Sequence, residues 1–371
     1  MVTPQRLANA ISAPMGCRIC LGLIVFLLIS GCSAGSAQSV QYPFQMPGYG
    51  SGDADVILWP SPPAVPRYAF IGHLYGESNT VATNQNRSTW SGFLAALTGS
   101  DEENVSLVNL AQPQQIASDN NGRIYVADTG QQAIFVFDEK AGEFFIWNET
   151  SLNIPFLSPV GVINAANSIW VTDSELSLVY RLSDNGELID TVGKGVVNRP
   201  TGITYDPDAD RIFVSDTADD NIKVFSTNGD LIDIWGAAGA KNGELNSPTY
   251  IAYRQGKLYV GDSLNARVQI FDDTGQYLQT LGQRGLYVGN LSRPKGVALD
   301  SDGNVYVSES YYDHVIIYDK DGNLLMSLGG SGFDAGKFSQ PTGLWVDRND
   351  RVFVSDMLNR RISMFQYLGG N

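Results

Sequence analysis

Histidine and cysteine are scarce in this chain of 371 residues, and their scarcity excludes several kinds of chemistry. The only histidines are His73 and His314, so a zinc site built on three histidine ligands is impossible. The three cysteines, Cys17, Cys20 and Cys32, all lie near the N-terminus. The remainder of the chain therefore has no disulfide, and we interpret the Cys17–Cys20 pair as part of a leader rather than as a redox or zinc motif.

Basic residues are also few compared with acidic ones. The chain has 24 Lys and Arg residues against 39 Asp and Glu residues, which gives a formal net charge of −15. Affinity for nucleic acid comes largely from Lys and Arg that displace counterions from phosphates. Nucleic acid is therefore a poor partner for this chain.

Motifs for cofactors and metals are missing or incomplete. The DxDxD spacing at Asp206, Asp208 and Asp210 lacks the glycine and glutamate that a calcium loop needs, so we expect a hairpin turn there. The one GxSxG match, residues 31–35, has no strand before it and no helix after it. We accordingly expect no cofactor, no metal and no catalytic residue that can be named.

The N-terminus has the features of a leader. Its apolar run, Ile19–Ile29, is 11 residues long, too short to span a bilayer but suited to a signal peptide. The run ends in Ser30-Gly31-Cys32, which resembles the lipobox of bacterial lipoproteins. The resemblance implies that residues 1–31 are removed and that Cys32 becomes a lipidated N-terminus in the cell envelope. Ordinary signal cleavage nearby is the alternative.

The residue after this cysteine bears on location. In a cell with two membranes, Ser33 resembles the outer-membrane sorting pattern, so the protein would face the periplasm or the exterior. Residues 32–66, rich in Ser, Gly, Gln and Pro, are predicted to be a flexible tether.

A repeat fills the rest of the chain. Six five-residue apolar strands each end in an acid, and successive acids are 45, 43, 46, 47 and 47 residues apart. The acids are Asp128, Asp173, Asp216, Asp262, Glu309 and Asp356. A proline opens each unit, at positions 113, 159, 200, 248, 294 and 341. Four short strands in such a period predict an all-β, six-bladed β-propeller with both faces of each blade buried.

The two ends of the repeat region complete one blade. The last copy stops at Asn371 without a fourth strand, while Arg67–Gly76 matches the fourth-strand ending at Leu325–Gly329. We predict that Arg67–Gly76 pairs with the strand around Ile362–Phe365 and closes the ring. The propeller then covers residues 67–371, and we expect it to be monomeric.

Pro-x-Gly followed by an apolar residue, at 159–162, 200–203, 294–297 and 341–344, resembles the NHL repeat family. Asn265-Ala266-Arg267-Val268 and Asn359-Arg360-Arg361-Ile362 match the family's entry to the third strand. The first two copies depart there, with Ala133 and Leu178. The resemblance implies the propeller fold but no single activity, because the family includes sensors, scaffolds, RNA binders and a few lyases.

One insertion, residues 77–112, interrupts the pattern. Within it, Ser88–Gly99 predicts a short helix with Trp90, Phe93, Leu94 and Leu97 on one face. We interpret this helix as packed onto the ring, with a lid over the mouth as the alternative.

Basic and aromatic residues gather in the loops of the last three blades. The expected ligand-binding residues are Arg267, Arg284, Arg293, Lys295, Arg360, Arg361, Tyr250, Tyr287, Tyr311 and Tyr312. In a propeller these loops share one face, so the arginines and lysine could bind an anion and the tyrosines a peptide or glycan. Solvated charge, local Asp–Arg pairs and tyrosines that cover the blade ends are the alternative.

The sequence therefore favours a binding or scaffold module over an enzyme. We expect a lipid-anchored propeller that binds an envelope protein, peptide or polymer through its loop-rich face. The alternative is a metal-dependent hydrolase or lactonase with its site at the channel mouth. A third reading is a structural spacer.

Overall fold

Each repeat folds into one antiparallel sheet, and the six sheets are arranged as the blades of a propeller. The structure is a computed structural model, and it describes residues 42–43, 56–80 and 107–369. In these residues helical structure consists of two 3₁₀ turns, Glu77–Asn79 and Ser263–Asn265. None of the described helical segments is long and apolar enough to cross a membrane. The all-β six-bladed propeller that the sequence predicts is confirmed.

Strands are numbered in chain order, beginning with β1 (Tyr42–Pro43), β2 (Leu58–Trp59) and β3 (Tyr68–Leu74). The first strands of the six blades are β4 (Pro113–Ser118), β8 (Pro159–Ala165), β12 (Pro200–Asp206), β16 (Pro248–Arg254), β20 (Pro294–Leu299) and β24 (Pro341–Val346). The second strands are β5 (Arg123–Asp128), β9 (Ser168–Asp173), β13 (Arg211–Asp216), β17 (Lys257–Asp262), β21 (Val305–Glu309) and β25 (Arg351–Asp356).

The third strands are β6 (Ala133–Asp138), β10 (Leu178–Leu182), β14 (Asn221–Ser226), β18 (Arg267–Asp272), β22 (His314–Tyr318) and β26 (Arg361–Tyr367). The fourth strands of the first five blades are β7 (Glu143–Trp147), β11 (Leu188–Val192), β15 (Leu231–Trp235), β19 (Tyr277–Leu281) and β23 (Leu324–Gly329). The first strands contact one another in a closed ring around the channel.

The ring closes as the sequence predicts. Strand β3 supplies the fourth strand of blade six and pairs antiparallel with β26, so that Leu74 lies opposite Ile362 and Phe70 opposite Phe365. The closure leaves no free edge between the first and last repeats, which would otherwise invite aggregation.

Two sheets have a fifth strand that the repeat does not predict. Strand β2 pairs with β3, and β1 pairs with β7. The ring of Trp59 contacts that of Phe365 edge to face, 5.4 Å between centroids. Both strands come from residues 32–66, so part of the segment expected to be a tether is paired with the blades. The predicted helix Ser88–Gly99 lies outside the described residues, as do Cys32 and residues 1–31.

The core lies between neighbouring blades. The residue that precedes the central valine of each second strand is aromatic and at most 8% exposed. These residues are Tyr125, Trp170, Phe213, Tyr259, Tyr306 and Phe353. Trp170 of blade two, for example, packs with Ile203 and Ile212 of blade three. Burial of both strand faces, expected from the sequence, follows from each blade's position between two others.

Candidate functional site

The strand-end acids organise the face of the ring that carries the longer loops. This loop face holds the connections between second and third strands and those from one blade to the next. The carboxylate of Asp173 accepts hydrogen bonds from the backbone N–H groups of Leu157 (2.8 Å) and Leu176 (3.1 Å), which belong to two different loops. All six acids are at most 1% exposed. Their role is therefore structural, because each ties two loops together.

Two of the predicted ligand-binding arginines belong to this internal framework. Arg267 pairs with Asp262 and Arg361 with Asp356, both at 2.8 Å. Each guanidinium also donates to backbone carbonyls of the preceding blade-to-blade loop, including those of Glu244 and Lys337. Their donors are thereby committed to holding the loop face together.

A cavity of about 700 Å³, here called the cup, occupies the loop-face mouth of the channel. Three positions of the repeat line it. The residues before the opening prolines are Gln112, Ser158, Arg199, Ser247, Arg293 and Gln340. The residues after the prolines are Gln114, Val160, Thr201, Thr249, Lys295 and Thr342. The residues after the strand-end acids are Thr129, Ser174, Thr217, Ser263, Ser310 and Met357, and Tyr250 and Leu264 complete the lining.

The charge of the cup is opposite to that of the whole chain. Its lining includes Arg199, Arg293 and Lys295 but no carboxylate. Among the described residues, no ion pair or hydrogen bond involves the side-chain nitrogens of these three cations. Burial, together with the positive charges of Arg293 and Arg199, lowers the pKa of Lys295. The surface of the cup is therefore positive, with the buried carboxylates of Asp216 and Glu309 lying behind it, bound to the backbone N–H groups of Arg199 and Arg293.

Most hydroxyl groups in the cup have structural partners. Ser174 Oγ donates to the carbonyl of Pro200, Thr217 Oγ1 to that of Pro248, and Ser263 Oγ to that of Pro294. Each bond joins one blade to the next, at the level where the first strands meet. These hydroxyl protons are thus committed, and the cup's capacity to bind an anion depends on its cations.

The structure brings three of the ten predicted ligand-binding residues into the cup. Arg293 and Lys295 lie in its wall, whereas Tyr250 lies in strand β16 inside the channel and is 6% exposed. Tyr250 is therefore not the loop-surface residue that we expected. Burial raises its pKa above the ordinary range of tyrosine.

The other predicted residues lie elsewhere on the loop face. Arg284 donates to the carbonyl of Leu264 at 2.6 Å, and Arg360 is exposed with a left-handed backbone. Tyr287 is 84% exposed. It lines a small cavity of about 140 Å³ with Tyr312, whose ring contacts that of Tyr311 edge to face at 4.8 Å. The predicted residues do not form a single site.

Arg199 is the cup residue that the sequence reading missed. It stands directly before the proline that opens blade three, as Arg293 does in blade five. The shared register was the available signal, but blade three lies outside the basic cluster predicted for blades four to six.

A second cavity of about 280 Å³, here called the lower cavity, lies at the opposite mouth. Its lining is mainly apolar and aromatic, with Tyr205, Tyr253 and Trp345 among its residues. No group of three or more His, Cys, Asp or Glu side chains suited to a metal ion occurs in the described part of the chain. Asp206, the first residue of the DxDxD motif, is buried and pairs with Arg211 at 2.7 Å.

Comparisons with known proteins agree with the fold. The NHL repeat family model matches residues 110–137, which contain β4, β5 and nearly all of β6. No curated protein matches the chain at a significant level. The NHL-type repeat predicted from the sequence is confirmed by this match and by the six blades.

Among solved structures, the chain is similar to an auxiliary nutrient binding protein from Bacteroides thetaiotaomicron, with 13% identity, a TM-score of 0.56 and 70% of each chain covered. It is also similar to virginiamycin B lyase from Staphylococcus aureus, with 12% identity, a TM-score of 0.51, and coverage of 70% of this chain and 96% of the lyase. A gluconolactonase from Xanthomonas campestris is similar as well, with 15% identity, a TM-score of 0.54, and coverage of 70% of this chain and 86% of the lactonase. At these identities the likeness shows a shared fold alone.

Proposed function

We propose that this chain is a binding module that recognises an anionic group of its ligand in the cup. The observation that carries the proposal is the set of three cations, Arg199, Arg293 and Lys295, in a cavity without carboxylates. The positive charge of the cup is opposite in sign to the formal net charge of the whole chain, which is −15.

The electrostatic cost of this arrangement supports a ligand role. Like charges close together, one of them largely buried, destabilise each other's charged forms. Acidic residues are plentiful in the chain, yet none lines the cup. A bound anion would relieve the repulsion, and arginine offers it paired donors in a planar geometry.

The cellular setting is also part of the proposal. The lipobox-like sequence before Cys32 supports a lipid anchor in the cell envelope, with the propeller carried outside the cytoplasm. The partner would then be an envelope protein, peptide or polymer that carries anionic groups.

The lining of the cup does not favour the alternative of a metal-dependent hydrolase at this mouth. A hard divalent cation is usually held by several carboxylate or carbonyl oxygens. The cup instead presents three cations, whose charge opposes a metal ion.

Calorimetric titration with inorganic pyrophosphate tests the proposal. The cup variant replaces Arg199, Arg293 and Lys295 with Gln. The control variant replaces Lys140, Lys257 and Lys320 with Gln, so the two variants have the same net charge. These three lysines are exposed and lie at the turns of the opposite face. Hydrogen bonds to charged groups are worth about 1.5–3 kcal/mol each, so we expect the cup variant to bind roughly tenfold weaker or worse. Equal weakening in both variants would show a general charge effect and contradict the proposal.

A further inference from the structure

Two of the six blades lack a glycine that the other four place in the channel wall. The second residue after the opening proline is glycine in blades two, three, five and six, but Gln115 in blade one and Tyr250 in blade four. The glycines are needed because the first strands approach closely. A Cβ added to Gly202, for example, would lie 2.6 Å from the carbonyl oxygen of Thr249. In a six-membered ring, blades one and four are opposite each other.

Both exceptional side chains cross the channel to another blade. The Tyr250 hydroxyl donates to Oε1 of Gln114 in blade one at 2.7 Å. The amide of Gln115 accepts from the backbone N–H of Ile203 in blade three at 3.1 Å and donates to its carbonyl at 2.7 Å. Strand β12 is the innermost strand of its blade, so its inner edge has no neighbouring strand. The Gln115 amide therefore provides the hydrogen-bond partners of the backbone N–H and carbonyl of Ile203 at this edge.

These two side chains divide the channel. The cup and the lower cavity are separate, Tyr250 lines both of them, and Gln115 lines the lower one. The Tyr250–Gln114 and Gln115–Ile203 hydrogen bonds therefore form a floor between the cup and the lower cavity.

We infer that the cup is an end-on receptor for a terminal phosphate monoester. The inference rests on the function proposed above and adds the chemical class of the ligand. A monoester carries a charge of about −1.5 to −2 and three acceptor oxygens, which suits three cations. A phosphodiester has a single negative charge and two free oxygens, so it offers the three cations less, and the floor of Tyr250 and Gln115 confines its second substituent to the cup. The monoester could be a small metabolite or the phosphorylated end of an envelope polymer.

Calorimetric titrations with glycerol 3-phosphate and with the diester glycerophosphoglycerol test the inference. We expect the wild-type protein to bind the monoester at least tenfold tighter. Tyr250→Gly restores the residue of four other blades and connects the cavities, so the diester should gain affinity and the preference should fall below threefold. Such a gain cannot arise from misfolding. Tyr250→Phe keeps the floor and should keep the preference.

Gln115→Gly provides a second route to the same result if Tyr250→Gly does not fold. Equal affinity of the wild type for both esters would overturn the inference, as would a failure of the monoester to bind. A preference that survives in both glycine variants would overturn it too. If both esters bind equally and the cup variant loses both, the proposed function holds and the end-on inference fails. A maltohexaose with a 6-phosphate distinguishes the two sources, since a polymer-end receptor binds it tighter than glycerol 3-phosphate.

Discussion

The Tyr250 hydroxyl and the Gln114 side-chain carbonyl lie 2.7 Å apart, although their residues belong to opposite blades of the ring. This hydrogen bond joins opposite blades directly, and the Gln115 amide likewise reaches Ile203 in a blade that is not its neighbour. The bond fixes the base of the cup and orients the Gln114 amide.

Removing this bond should weaken the ring without opening the channel. The net contribution of one hydrogen bond to stability is about 0.5–1.5 kcal/mol. We therefore expect Tyr250→Phe to lower the free energy of unfolding by about 0.5–1.5 kcal/mol, measured by urea denaturation. Tyr287→Phe, at a residue 84% exposed, is the control and should have no measurable effect. A Tyr250→Phe protein as stable as the wild type would show that the bond contributes nothing.

The buried pair of Arg361 and Asp356 should be far more important for stability than an exposed pair. Loss of one member of a buried ion pair costs about 3–5 kcal/mol, because the other charge is left buried and unpaired. We expect Arg361→Leu to approach this loss in denaturant unfolding. Lys241, whose side chain is 87% exposed and pairs with Glu244 at 3.6 Å, supplies the control. Lys241→Leu should cost less than about 1 kcal/mol, and similar losses in the two variants would contradict the account.

The hydroxyl groups of the cup should contribute to stability rather than to ligand affinity. Ser263→Ala removes a donor to the Pro294 carbonyl of the next blade and should lower the free energy of unfolding by about 1 kcal/mol. Its pyrophosphate affinity should remain within twofold of the wild type. Ser247 lines the same cavity, and its hydroxyl has no partner among the described residues, so Ser247→Ala should leave both quantities unchanged. A large loss of affinity in Ser263→Ala would mean that this hydroxyl binds the ligand.

Stability should depend on pH through His73, which contacts the rings of Phe70 and Tyr75. Burial, with a smaller contribution from the Arg361 charge, lowers the pKa of His73 from 6.5 to about 3. Between these values the unfolded state binds more protons, so the free energy of unfolding rises with pH. The contribution is complete above pH 6.5 and is lost as the pH falls towards 3.

Urea denaturation at several pH values checks this dependence. From pH 6.5 to 4.5 the wild type should lose more stability than His73→Gln, which has no imidazole to protonate. His314→Gln controls for the replacement of a histidine and should follow the wild type. Parallel curves for the wild type and His73→Gln would contradict the assignment.

The sequence predicts the architecture well because six copies repeat each signal. The opening prolines, the acids at the strand ends and the match of Arg67–Gly76 to a missing fourth strand together specify the blades and their closure. The pairs of Arg267 with Asp262 and Arg361 with Asp356 are also predictable, since each is local to one loop.

The cup is harder to predict because its residues meet only at the axis of the ring. Arg199 and Lys295 lie almost a hundred positions apart in the sequence and belong to blades that are not neighbours. The floor of the cup did leave a signal, since copies one and four lack the glycine of Pro-x-Gly. The missing glycine alone, however, does not indicate that the side chains of Gln115 and Tyr250 project into the channel.

A crystal soaked in tungstate gives the most direct test of the cationic cup as the ligand site. Tungstate is a tetrahedral dianion like phosphate, and its tungsten is located by anomalous scattering. We predict a strong peak in the cup, within contact of Arg293, Lys295 and Arg199, and its loss in crystals of the cup variant. Ordered tungstate at other cations of the surface, with none in the cup, would contradict the central claim.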